Sequence, residues 1–212
     1  MRHRRCLTEA RLEWEAIECL ASNGLRAVPV IAMGERVRWG FWERGSLLMT
    51  AELPGGESLE ELLGRTSTLP LSVRVELAQR AGWLARRMHM AELVHRDFYL
   101  GHIYMVGDLR HGYRLHLLDL QRVMHGARMY NRWAVKDITS LHFSSIPVTV
   151  IHNSDRMRFL CAYLRIDTLD EQARRFAFRV LRKSTRVARH TEKLLERRRR
   201  RGELPACKSA PP

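Results

Sequence analysis

Asp97 and Asp119 are the residues of this chain whose setting most suggests chemistry. Asp97 lies in His95-Arg96-Asp97-Phe98-Tyr99-Leu100-Gly101-His102, and Asp119 in Leu118-Asp119-Leu120-Gln121. Between them, Ile103–Val106 and Leu115–Leu118 flank a polar stretch containing Gly107, Asp108 and Gly112, which predicts a β-hairpin. A hairpin there brings both aspartates to one edge of a cleft. Two carboxylates so placed suit phosphoryl transfer. One can orient and deprotonate an attacking hydroxyl, and the other can hold Mg²⁺ on nucleotide phosphates. His-Arg-Asp alone recurs by chance. The whole sequence of an amphipathic helix, His-Arg-Asp, a later His102, a hairpin and a second aspartate outweighs the reading in which each aspartate merely caps a turn.

The neighbouring residues carry paired readings. His102 stands where protein kinases keep a metal-binding asparagine; an imidazole can ligate a metal or contact phosphate, and it also packs readily in a core. His95 reads as structural, its ring propping the loop. Arg96 is expected to pair with a nearby acidic group. Glu13, on the first helix, is either the glutamate that orients a phosphate-gripping lysine or a solvent-facing member of the set Glu9, Glu15 and Glu18; spacing does not choose. Asp137, in Val135-Lys136-Asp137-Ile138, either braces the loop by accepting backbone N–H bonds or is an ordinary helix-end carboxylate.

The elements that must position these groups follow from periodicity and punctuation. Residues 8–22 predict a helix, with Leu12, Ala16, Ile17, Leu20 and Ala21 on one stripe, Thr8 as its cap and Asn23-Gly24 as its end. Strands are expected over Val28–Ala32, Val37–Trp42 and Ser46–Leu53, punctuated by Gly34 and Gly45. Pro54-Gly55-Gly56 reads as a hinge between two lobes, followed by a short helix over Ser58–Leu63. Residues 70–93 give the clearest helix, burying Leu77, Ala81, Leu84 and Met88. Further helices are predicted around Trp133–Phe143, over 154–166 and over 170–200.

Composition bounds the rest. The chain has 212 residues and is 45% hydrophobic, enough for one sizeable core. No apolar run approaches the ~20 residues of a membrane span, and the basic N-terminus lacks a signal peptide's apolar core. Cys6, Cys19, Cys161 and Cys207 are scattered, which suits reduced thiols and gives no zinc signal. These features lead us to expect a cytoplasmic protein. The net charge of +14 calls for an anionic partner. Arg197–Arg201 form either a solvated helix end or a peripheral contact with anionic lipid, at ~1 kcal/mol per basic residue near the surface. No helix-turn-helix, zinc or RNA-recognition signature accompanies the charge, which disfavours nucleic acid.

Taken in order, these segments resemble the lipopolysaccharide core kinases that phosphorylate heptose or Kdo, a bacterial branch of the protein-kinase-like fold. The matching pieces are Glu13–Leu20 with Gly24 and Pro29, Ser46–Leu53, Leu93–His102, Leu118–Arg122 and Lys136–Ser144. The Asp-x4-His form and Asp119-Leu120-Gln121-Arg122 are more specific to this family than to protein kinases. The resemblance implies an α+β fold with a truncated small lobe over about 1–53, a mainly helical large lobe over 54–201 and a disordered tail over 202–212. It implies Asp97 as catalytic base, Asp119 as Mg²⁺ ligand, His102 beside the metal, and the backbone of Ala51, Glu52 and Leu53 against adenine. The implied reaction uses ATP and Mg²⁺ to phosphorylate a sugar hydroxyl on a lipid-anchored oligosaccharide, the lipopolysaccharide core, at the cytoplasmic membrane face.

The same resemblance implies a glycine-rich loop and a phosphate-gripping lysine ahead of the first helix. No lysine and no Gly-x-Gly precedes Glu13. Two alternatives stay open from sequence: a shortened form of such a kinase whose start lies upstream, or a non-catalytic, kinase-derived binding module. With those strands missing, the remaining ones are expected to present an open edge.

Overall fold

The computed structural model describes residues 8–37, 44–126 and 132–203. The expected strand over Val37–Trp42 lies, beyond Val37, outside these residues, as do the basic N-terminus up to residue 7 and the expected tail from residue 204.

The chain opens with helix α1 (Glu9–Ser22), capped by Thr8, whose hydroxyl accepts from the Arg11 N–H at 3.2 Å. Asn23 caps its end, and Gly24 follows at φ +64°, a conformation that favours glycine. Ala16, Ile17 and Leu20 are buried, as the apolar stripe predicts. Strands β1 (Val30–Val37) and β2 (Arg44–Thr50) form an antiparallel ribbon against α1. The Thr8 hydroxyl donates to Glu35 of β1 at 2.5 Å, and Arg11 bonds the same carboxylate at 2.6 Å, fastening helix to ribbon. The expected break at Gly34 does not occur. Gly34 pairs with Leu47 inside a continuous β1, and Gly45 sits inside β2. The cross-strand ladder overrides the punctuation that glycine suggests. Beyond Thr50 the chain leaves the ladder, so Ala51–Leu53 are not strand. Among the described residues the second edge of β2 has no partner strand, and the ribbon face away from α1 exposes Leu47 and Met49.

A turn at Pro54-Gly55 leads into the short strand β3 (Gly56–Ser58), which the sequence did not signal. Ser58 then starts helix α2 (Leu59–Arg65) with a reciprocal capping box to Glu61. Helix α3 (Leu71–Met90) stops three residues earlier than expected, and Leu93-Val94 form strand β4. A 3-10 turn (Leu100–His102) precedes the hairpin of β5 (Ile103–Asp108) and β6 (Gly112–Leu117), with β3 added to its outer edge in the order β3-β5-β6. The hairpin is longer than expected at its tip, with Gly107 and Gly112 inside the strands, and Leu118 falls just outside. Strand β7 (Met124–His125) pairs with β4. Helices α4 (Arg132–Ser145), α5 (Asn153–Leu164) and α6 (Glu171–Arg200) complete the chain.

One hydrophobic core runs from Ile17 and Leu20 of α1 through Leu84 and Met88 of α3 and Ile103 and Leu117 of the hairpin to Ile138 of α4 and Phe176 of α6. At the α3–α5 contact Gly82 lets the backbones approach closely; a Cβ there would lie 2.6 Å from the Phe159 carbonyl oxygen. Between α2, α3, α4, α5 and α6 is an apolar cavity of about 350 Å³, lined by residues such as Leu63, Leu77, Leu141 and Val180, with Arg74, Asp155 and Arg156 as its charged members.

Candidate active site

The loop between β4 and β5 is held from beneath by α4. Asp137 is fully buried, and its carboxylate accepts the backbone N–H of His95 at 2.7 Å and of Arg96 at 2.8 Å. This is the bracing arrangement, and the ordinary helix-end reading does not apply. Leaving two buried N–H donors unpaired would cost several kcal/mol, roughly 1–3 each, so the contact fixes the loop's path. Ser144, two turns further along α4, accepts from the N–H of Leu100 at 3.0 Å. The His95 ring bonds through Nε2 to the Leu118 carbonyl at 2.9 Å, tying the loop to the residue before Asp119. Burial pushes its pKa down, so it stands as a neutral prop.

Arg96 does not find the acidic partner expected of it. Its guanidinium lies over the Trp133 ring, 5.5 Å from the centroid, and among the described residues it forms no ion pair. Its backbone sits at φ +74°, and Asp119 at φ +55°, a region that L side chains rarely adopt. Such strain is held only where the surroundings over-determine it, and here it aims two segments at one cleft.

Three sequence-predicted residues meet there. His102 bonds through Nδ1 to the Asp97 carbonyl at 2.7 Å, so that nitrogen carries the proton. Its Nε2 lies 3.6 Å from the nearer Asp119 carboxylate oxygen. His102 thus links the two carboxylate-bearing segments. The side chains of His102 and Asp119 are 30% and 34% exposed while Asp137 is 0%, which separates groups open to a ligand from the structural brace. Asp97 accepts from the Arg122 guanidinium at 2.7 Å, and Asp119 from the Gln121 amide at 2.8 Å.

Glu13 also turns toward this cleft and not to open solvent. Its pKa is raised, chiefly by burial, with the Asp119 charge adding to the shift and a bond from the Leu120 N–H opposing it. The cleft thus gathers the carboxylates of Asp97, Asp119 and Glu13. Those residues fit a magnesium ion: Asp119 supplies a hard oxygen ligand, and His102 Nε2 lies beside it with the other ring nitrogen fixed by a carbonyl. Among the described residues no group of three or more His, Cys, Asp or Glu side chains forms a metal cage, so the remaining ligands would be phosphate oxygens and water. At the exit of β2 the Ala51 N–H is donated to the Pro29 carbonyl, and the Leu53 carbonyl accepts from Gly56. The Ala51 carbonyl and the Leu53 N–H face no such claim among the described residues. Glu52 between them is exposed.

Sequence reasoning did not find several members of this site. Arg122 and Gln121 sat in the quoted Asp-Leu-Gln-Arg run, but nothing in the spacing says that they reach back to Asp97 and Asp119. His89 is buried on α3, with Nε2 3.2 Å from Asp137 and Nδ1 2.8 Å from the Tyr163 hydroxyl. Its place on the apolar face of α3, beside Met88, was the available signal.

Residues 2–163 match the family described as lipopolysaccharide kinase (Kdo/WaaP). The chain is 30% identical over 203 residues to the lipopolysaccharide core heptose(I) kinase WaaP of Pseudomonas aeruginosa, covering 92% of this chain and 72% of that protein. It is 31% identical over 156 residues to the Escherichia coli protein of the same name, covering 71% of this chain and 58% of that one, so it spans less than two thirds of that relative. Among solved structures, that of WaaP in complex with acyl carrier protein aligns with a TM-score of 0.71 at 28% identity, covering 84% of this chain and 76% of that one. The fold is protein-kinase-like, α+β with small sheets and a mainly helical body, and the chain belongs to the lipopolysaccharide kinase (Kdo/WaaP) family.

Proposed function

We propose that this chain transfers the γ-phosphoryl group of ATP to a sugar hydroxyl of the lipopolysaccharide inner core, at a heptose or Kdo position. The heptose(I) kinase activity in the names of its relatives favours heptose. The observation that carries the reading is His102, which binds the Asp97 backbone on one side and faces Asp119 on the other. It makes a base and a metal ligand into one rigid unit.

In this reading Asp97 accepts the proton of the sugar hydroxyl as its oxygen bonds to the γ-phosphorus. The bond from that phosphorus to the bridging oxygen breaks, and ADP leaves. Arg122 holds one Asp97 oxygen and so turns the other toward the acceptor. Asp119 and His102 would hold Mg²⁺, which when bound neutralises charge on the phosphates. Adenine would lie against the Ala51 carbonyl and the Leu53 N–H. Glu13 would meet a cation in the cleft, which would relieve its crowding by Asp119.

Labelled γ-phosphate transfer to dephosphorylated core oligosaccharide tests this. Asp97→Ala is expected to lower kcat by roughly 10²–10⁴-fold, the usual worth of a positioned base. Full activity in that variant would overturn the assignment of Asp97.

A second partner is favoured by a specific feature. One solved relative is described in complex with acyl carrier protein, and this chain holds an apolar cavity of about 350 Å³ with Arg74 and Arg156 among its lining. We read the cavity as a place for an acyl chain delivered by such a carrier. An acylated carrier should raise the thermal midpoint of the chain and an unacylated one should not; equal shifts would count against the cavity. The reaction would take place at the cytoplasmic face of the membrane. No helix among the described residues is long and apolar enough to cross a membrane, so contact would be peripheral.

A further inference from the structure

Helix α6 carries a feature that the transfer chemistry does not use. Its 30 residues make a rod of about 45 Å at 1.5 Å per residue. One face buries Ala173, Phe176, Val180 and Ser184 against the body, chiefly α4. On the opposite face stand Arg175, Arg179, Arg182, Arg186, Arg189 and Lys193, all exposed, and the line continues through to residue 200. The steps of three and four residues keep every one of these cations on a single face. From Arg175 to Arg200 the line runs for about 38 Å.

Two observations set this line apart from an ordinary solvated face. Among the described residues only Arg175 of the six has a carboxylate partner, Glu171. Glu192 and Glu196 interrupt the spacing only toward the far end of the helix, and among the described residues neither pairs with a cation of the line. Next to it, Phe178 is 66% exposed. A large aromatic in water beside a row of arginines matches the composition of a helix that lies on a lipid surface. Both a single strand of nucleic acid, by stacking a base on the aromatic, and a headgroup layer would use these groups; a straight row of cations about 38 Å long on one face favours the flat layer. Because the body of the protein lies on the other side of α6 as far as Thr191, a flat surface can approach the line over that length.

We propose that this outer face of α6 docks the protein on a membrane leaflet rich in anionic phospholipid. The proposal draws its purpose from the kinase reading, since an acceptor carried on lipid would need the enzyme at that surface. Its test involves no phosphoryl transfer, so the two can fail separately.

The test is cosedimentation of the full chain with vesicles of phosphatidylcholine, with and without one third phosphatidylglycerol. The chain is expected to bind the anionic vesicles only, and to release as salt screens the contact. The variant R182E/R186E/R189E/K193E is expected to bind at least roughly 100-fold more weakly, with circular dichroism unchanged. The milder R182Q/R186Q/R189Q/K193Q should lose less, in the same direction, and stands in should the reversal variant misfold. A control of equal net charge, R26E/R110E/R114E/R165E, changes exposed arginines away from α6 and should bind as the parent does. Absent binding to the anionic vesicles, equal binding to neutral ones, or equal losses in the line and control variants would each overturn the proposal. Preferential capture by a single-stranded oligonucleotide in competition with the vesicles would overturn it in favour of nucleic acid.

Discussion

Glu13 shows how a single residue reports on the charge of the cleft. Half-buried and facing Asp119, its carboxyl has a pKa above the ordinary 4.5. A carboxyl raised in the folded chain favours its protonated form there. Its contribution to stability is present below the ordinary pKa and is lost as pH rises through the raised value. Glu13→Gln should therefore melt at a higher temperature than the parent at pH 8, with the gap closing toward pH 5, and should bind Mg·ATP less well. A gap that is constant with pH would contradict this placement of Glu13. Sequence spacing left Glu13 undecided among its neighbouring glutamates because helical periodicity fixes a face but not what lies opposite. Asp97, Asp119 and His102 were legible because their types and order are those that phosphoryl transfer needs. Arg122 and His89 were not, because their contacts close over 25 and 48 residues by geometry that no local pattern encodes; Gln121 is local to Asp119 but its type alone does not say that its amide turns back to that carboxylate.

At the scale of elements, the site is the product of α4 and α3 holding a loop between them. Asp137 pins the loop's start, Ser144 its middle, and the His95 ring joins it to the segment before Asp119. Asp137→Ala should lower the urea midpoint by an amount equivalent to about 2–5 kcal/mol, since two backbone donors and His89 lose their acceptor. A change below about 1 kcal/mol would show that water replaces the carboxylate. The α3–α5 contact offers a second check. Gly82→Ala would bring a Cβ to 2.6 Å from the Phe159 carbonyl oxygen and 2.8 Å from the Ala162 Cβ. Overpacking of about 1–3 kcal/mol should outweigh the gain of about 1 kcal/mol in helix propensity. The variant's urea midpoint should fall; a rise would contradict the close approach. Six helices were readable from apolar periodicity to within a few residues at each end. The short strands β3, β4 and β7 were not, since segments of two or three residues exist only through their partners on distant parts of the chain. Gly34 misled for the same reason: the ladder to Leu47 outweighs glycine's local freedom.

For the whole molecule, one continuous core unites α1 and its ribbon with the helical body, so the cleft between them is built on a single packed unit. The ribbon has an unpaired edge on β2 among the described residues, and Leu47 and Met49 lie exposed on its face. Nucleotide would approach beside that ribbon, with Asp119 and His102 on the opposite wall. The charge of +14 is concentrated in α6, away from the carboxylates of the cleft, which leaves the site negative and ready for a cation. The central claim is that this cleft holds metal-nucleotide through Asp119. Its most direct test is a thermal-shift titration of the chain with Mg·ATP, with Asp119→Ala and Mg²⁺-free ATP as controls. The account predicts a saturable rise in melting temperature that requires both Mg²⁺ and Asp119. A folded chain with no shift, or an equal shift in Asp119→Ala, would contradict it.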